Sequence, residues 1–176
     1  EITQKIEGVR TLAGQKITAS FWIKRGTGTI GLGARLVQYF GTGGSPSGTV
    51  ITNLGAPTLT TSWQKLTYTV DVPSISGKTI GSNNDDSLWF SLQVNNANTG
   101  TIQLAQVQVE KGNYATDFEH RSYGDELRRC QRYYFRQTLA NNDFFGIGFA
   151  ANSSFGDVAV QFPVSMRDKP TGLEQT

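Results

Sequence analysis

The chain is poor in the residues that do most enzymatic chemistry. Its 176 residues include one cysteine, Cys130, one histidine, His120, and one methionine, Met166. A single cysteine excludes an intrachain disulfide and a cysteine zinc cluster. A single histidine leaves Ser–His or Cys–His nucleophile chemistry to His120 alone. Charge is also scarce: charged residues make up 17% and the formal net charge is +2. The one basic cluster, Arg128, Arg129 and Arg132, is offset by Asp125 and Glu126. That pattern argues against phosphate-driven nucleic-acid binding. No apolar run approaches the ~20 residues of a membrane-spanning helix, and no signal peptide opens the chain. Glu1 stands where a Met would begin a complete reading frame, so a fragment of a longer chain is expected.

What is present instead is small and polar. The balance is largely Thr, Ser, Asn, Gln and 20 Gly, with aromatics at 11% spread along the chain. This suits sheets with one wet face and frequent turns. Period-two alternation confirms the type. Ile17, Ala19, Phe21 and Ile23 alternate with Thr18, Ser20 and Trp22. Leu66, Tyr68 and Val70 alternate with Lys65, Thr67 and Thr69, and Leu88, Phe90, Leu92 and Val94 with Trp89, Ser91 and Gln93. Ile102, Leu104, Val107 and Val109 form a further apolar phase, which slips at Ala105 and predicts a bulge or a change of face. Residues 30–40 make another strand, interrupted by Gly31 and Gly33. Residues 41–48 and 76–87 read as loops; the first lacks the helix and Lys of a phosphate cradle.

The pattern changes after Glu110. Residues 122–134 predict a helix, capped by Ser122 with Asp125 three residues on. Tyr123, Leu127, Cys130 and Tyr134 fall on one helical face, so Cys130 is expected to be buried there. Residues 144–151 and 158–164 predict a hairpin that should dock on something, since an isolated hairpin is marginal. The expected architecture is all-β: a jelly-roll-type antiparallel β-sandwich over residues 1–118, then one short helix and a partial, oligomerising β appendage over 119–176, with a further strand missing after Pro170.

Several segments resemble known families. TLAGQKITASFWIK (11–24) resembles the second strand of jelly-roll carbohydrate-binding modules, and TSWQKLTYTV (61–70) a further strand of the same modules. VQVEKGNYATDFEHRS (107–122) is similar to the close of a domain in bacteriophage and prophage tail-fibre or other structural proteins. ELRRCQRYY (126–134) resembles the helix that follows there, and FPVSMR (162–167) ahead of Lys169-Pro170 their terminal β region. The resemblance implies a non-catalytic virion protein of a tail or capsid surface. It would form a homo-trimer, contact other virion proteins and attach to host-surface glycan. A purely structural capsid-decoration or fibre-extension domain, and a binding module of a polysaccharide-degrading enzyme, are the alternatives.

Sugar binding on such sandwiches needs aromatics that stack on a pyranose face, beside planar polar groups. The candidates are Trp22, Trp89, Tyr39 and Tyr68, with Gln93, Gln38, Asn95 and Gln103 as hydrogen-bonding partners. Trp22 and Trp89 stand out because each sits on the polar phase of its strand. Trp63 opens its strand and reads as core. Carbohydrate-binding jelly rolls often hold a structural calcium through an Asp in the last strand; Ala105 stands at the matching position and offers only a backbone carbonyl. Asp85 and Asp86 are the carboxylates left for such an ion, and a solvated loop is the simpler reading of both. No cofactor is expected. Glu119 and His120 are neighbours on an extended segment and point apart, so they do not make a catalytic pair; His120, Arg121 and Tyr123 are expected to pack at the domain exit.

Overall fold

The computed structural model describes residues 1–28, 30–94, 99–141, 143–144 and 146–170. The chain divides into two compact units, Glu1–Glu119 and His120–Thr176. The first unit is an antiparallel β-sandwich of seven strands: β1 (Ile2–Glu7), β2 (Lys16–Gly28), β3 (Leu32–Tyr39), β4 (Val50–Gly55), β5 (Gln64–Asp71), β6 (Ser87–Val94) and β7 (Gly100–Lys111). One sheet has the order β1-β6-β3-β4 and the other β5-β2-β7. Only β3 and β4 are consecutive neighbours in one sheet; every other connection passes from one sheet to the other, as in a jelly roll.

Alternation builds the core. Ala19, Phe21 and Ile23 of β2 meet Leu32, Ala34, Phe90 and Leu92 of β3 and β6, all buried. Ile17, Leu36, Val72 and Leu88 close one end of the sandwich. Phe21 lies between the sheets, its ring centroid 5.7 Å from that of Phe90 and 6.2 Å from that of Tyr68. Burying such a side chain is worth roughly 1.5–3 kcal/mol.

The phase slip at Ala105 is a bulge. Ser20 pairs Gln108 but Trp22 pairs Ala105, so Gln106 and Val107 together oppose Phe21. Gln106 takes φ 50°, and Val107 turns out to solvent while Val109 stays against the core. The two long loops are stitched together: Gly81, Ser82 and Asn83 donate backbone hydrogen bonds to Phe40, Gly43 and Thr42. Gly41 is required there, since it has φ 81° and a Cβ on it would lie 2.6 Å from Asp85 Oδ1.

The second unit contains the helix α1 (Tyr123–Gln131) and a ribbon of β8 (Ile147–Ala150) and β9 (Gly156–Ala159). Ser122 caps the helix by accepting from Asp125 N at 3.3 Å. One expectation fails here. Cys130 is exposed, as are Tyr123 (81%), Leu127 and Tyr134, so the helical stripe is real but no described residue of the unit buries it. The ribbon is exposed along both strands, with Ile147 at 87%. No described residue from His120 onward is buried, and no described helix is long and apolar enough to cross a membrane.

Candidate functional site

The outward-facing residues of the four-stranded sheet form cross-strand rows. Inward Leu88, Phe90 and Leu92 force Ser87, Trp89, Ser91 and Gln93 of β6 outward, because neighbouring strand residues face opposite ways. Register then fixes their neighbours. One row runs Thr3, Ser91, Arg35, Asn53; the next runs Lys5, Trp89, Val37, Ile51; a third holds Glu7, Ser87 and Tyr39; Gln93 faces Gly33 at the other end. Ile51 is 51% exposed, whereas Val37 is covered by its neighbours.

Trp89 and Tyr39 form the aromatic centre of this face. Their ring centroids are 5.3 Å apart at 36°. Trp89 Nε1 donates to Ser87 Oγ at 2.7 Å, which satisfies the indole N–H and fixes the ring. Lys5 Nζ stands 4.7 Å from the indole centroid, a cation–π contact. In the adjacent row, the Glu1 carboxylate accepts from Ser91 Oγ, from Thr3 Oγ1 at 2.9 Å and from Arg35 Nη2 at 3.0 Å. Those donors, Ser91 first, hold its pKa down to about 2.

The other outer face is different. Trp22 lies on it, opposite Lys65 and Ala105. Trp63, expected in the core, is 43% exposed, with Lys24 Nζ 5.1 Å from its ring centroid; at the strand mouth the indole reaches along the surface instead of between the sheets. Residues 112–119 cross this face as a roof. Gln108 Oε1 accepts from Glu119 N at 2.9 Å, and Gln108 Nε2 donates to Thr116 Oγ1 at 3.0 Å. Glu110 accepts from Thr116 N at 2.9 Å and Thr116 Oγ1 at 2.7 Å, and Thr18 Oγ1 donates to Gly112 O. Thr18 and Ser20, though on the outer phase of β2, are buried. Burial pushes the Glu110 carboxyl up, but the donors Gln108 and Thr116 outweigh it and leave the pKa lowered.

The structure therefore brings Trp89, Tyr39 and Gln93 onto one face and separates Trp22 from them. Tyr68 points into the sandwich against Phe21, and burial raises its pKa. Gln38 is also inward and buried, donating to Pro73 O at 2.8 Å. Gln103 lies beside Lys24 on the roofed sheet, and Asn95 is outside the described residues. Asp85 accepts from Thr42 N and Thr42 Oγ1 at 2.7 and 2.8 Å, and Asp86 from Val9 N at 2.7 Å. Both carboxylates brace loops, and among the described residues no group of three or more His, Cys, Asp or Glu is placed to hold a metal ion. Sequence reasoning missed Arg35, Lys5, Ser91 and Glu1. Arg35 sits on the outer phase of β3, a phase obscured by Gly31 and Gly33, and the others gain meaning only through register. Neither the family models nor the curated proteins searched contain a match to this chain.

Proposed function

We propose that the Glu1–Glu119 sandwich is a non-catalytic glycan-binding module of a phage virion appendage, and that the His120–Thr176 unit serves assembly with other copies. The observation that carries the glycan reading is the Tyr39–Trp89 pair on the outer face of the four-stranded sheet, with Lys5 in the Trp89 row, Arg35 and Asn53 in the next, and Gln93 farther along β6. Aromatic rings give a sugar apolar contact area, while planar polar side chains fix its orientation. The virion setting, attachment to host-surface polysaccharide, contact with other virion proteins and a trimeric state rest on the resemblance of residues 107–134 to tail-fibre-type proteins. A non-catalytic role fits the placement of acid groups. Glu1 and Glu7 both lie along the β1 edge, whereas glycosidases flank the scissile bond with two carboxylates.

The assembly half is supported by the second unit's surface. Phe144 (86% exposed), Ile147, Phe149, Phe155 and Val158 are all exposed in this unit, and exposed apolar residues of this kind are what an interface between copies would cover. Weak glycan sites gain strength when several copies act together.

A glycan array probed with the chain tests the reading. Binding should fall at least tenfold with Trp89→Ala and with Tyr39→Ala, and stay unchanged with Trp22→Ala. Absence of any bound glycan, with host adsorption unaffected by Trp89→Ala, would leave the purely structural role standing.

A further inference from the structure

Glu1 occupies its row in an incomplete way. All three of its hydrogen bonds, from Ser91 Oγ, Thr3 Oγ1 and Arg35 Nη2, converge on one oxygen, Oε1. A guanidinium meets a carboxylate best as a two-pronged fork, with both carboxylate oxygens engaged. Here Arg35 uses one prong on Glu1, and its buried Nε–H has no partner. A buried donor left unmatched is costly and uncommon in a finished structure. The donors come from three adjacent strands in one row, Thr3, Ser91 and Arg35, so the backbone register holds them in place. This row lies beside that of Lys5 and Trp89, about 7 Å away along the strands. The charged groups facing this part of the sheet are Arg35 and Lys5 on one side of the balance and Glu1 and Glu7 on the other.

We propose that Thr3, Ser91 and Arg35 form a carboxylate subsite, that Glu1 holds it as an internal stand-in, and that the glycan taken by this face is acidic. The inference rests on the reading of the face as a glycan platform and adds the ligand class. A uronic-acid carboxylate entering the cradle displaces the Glu1 side chain and engages both Arg35 Nη2 and Nε, while a ring of the same chain stacks on Trp89. Lys5 adds a second positive charge in the stacking row. Glu1 is then a competitor: an uncharged residue in its place frees the donors.

The test uses an oligouronate, such as oligogalacturonate, and the same oligomer with its carboxyls reduced to alcohols. Calorimetry on the full chain should show the acidic oligomer binding at least tenfold more tightly. Glu1→Gln should strengthen acidic binding several-fold and leave the reduced oligomer unchanged. Arg35→Gln and Ser91→Ala should abolish the preference, whereas Trp89→Ala should weaken both ligands. Should Arg35→Gln fail to fold, the Arg35 Nε–H resonance of the wild-type chain supplies the readout, shifting with the acidic oligomer and not with the reduced one. Equal, Trp89-dependent binding of both oligomers, or an unmoved Nε–H resonance, overturns the subsite and leaves the platform intact. Failure of either oligomer to bind, together with an empty glycan array, overturns both.

Discussion

The two outer faces of the sandwich are built from the same materials and finished differently. Each carries a tryptophan on the polar phase of a central strand, Trp89 on β6 and Trp22 on β2, among Thr, Ser, Gln and Lys. On the three-stranded sheet, residues 112–119 fold back and consume the polar side chains. Gln108 and Glu110 spend their hydrogen bonds on Thr116, Asp117 and Glu119. On the four-stranded sheet the outer Ser87, Val37 and Ser91 are buried too, and side chains take part in covering them, with Glu1 over Ser91 and Lys5 beside Trp89. A backbone roof is part of the fold; a side-chain cover can be displaced by a ligand at the cost of rotamers and exposed hydrogen bonds.

The largest expected effect strikes what both faces share. Phe21 backs the two sheets through Phe90 and Tyr68. Phe21→Ala should cost about 3–5 kcal/mol, a large part of the roughly 5–15 kcal/mol that holds a domain together. Urea unfolding followed by tryptophan fluorescence should report a single large drop in midpoint. Loss confined to one sheet would show that the faces are stabilised separately. A middle-sized effect separates the faces. Gln108→Ala removes the clamp of the roof and should cost roughly 1–2 kcal/mol, the net worth of a small hydrogen-bond cluster. Gln93→Ala, at an outer position on the open sheet, should stay within about 0.5 kcal/mol. Equal costs for the two would mean that the open face is structural too.

How much of this was legible follows from what alternation encodes. A period of two tells inside from outside, so the sandwich core at Ile17–Ile23, Leu66–Val70 and Leu88–Val94 could be read directly, while the slip at Ala105 left a bulge and a change of face both open until pairing showed the bulge. The same alternation placed Tyr68 with Leu66 and Val70, on the inward phase where it is found. It does not tell which sheet a strand joins. Trp22 and Trp89 therefore looked alike until pairing put them on opposite sides. The Thr3–Ser91–Arg35 row joins residues 88 and 56 positions apart, and only register assembles it. Short β4 escaped because Val50, Thr52 and Leu54 alternate with Ile51 and Asn53 over too few residues and run into Gly55 and Pro57. Helical period had a matching limit in the second unit: it placed Tyr123, Leu127 and Cys130 on one stripe, but a stripe carries no information on whether a partner covers it.

The smallest predicted effect is a pH response confined to the roofed face. Glu110 has a lowered pKa because the donors Gln108 and Thr116 favour its charged form over the penalty of burial. A depressed carboxylate stabilises the fold above its unfolded-state pKa, and the contribution fades as pH falls through the lowered folded value. The roof should therefore stay closed at neutral and mildly acidic pH and loosen only below the ordinary glutamate range of about 4.3. Hydrogen exchange at the Thr116 and Glu119 amides, which bond Glu110 and Gln108, reports this directly. Protection should be constant from pH 7 to 5, after correction for intrinsic exchange, and fall in stronger acid. Glu110→Gln should lower Thr116 protection at every pH and flatten the acid response, because the amide keeps the shape but not the charge. Glu1 has a depressed pKa as well, about 2, but it binds side-chain hydroxyls and a guanidinium and holds no roof. Its protonation should leave the Thr116 and Glu119 amides untouched; coupled behaviour would mean that the two faces communicate through the sheets, and that the open face is less independent of the roof than its register implies.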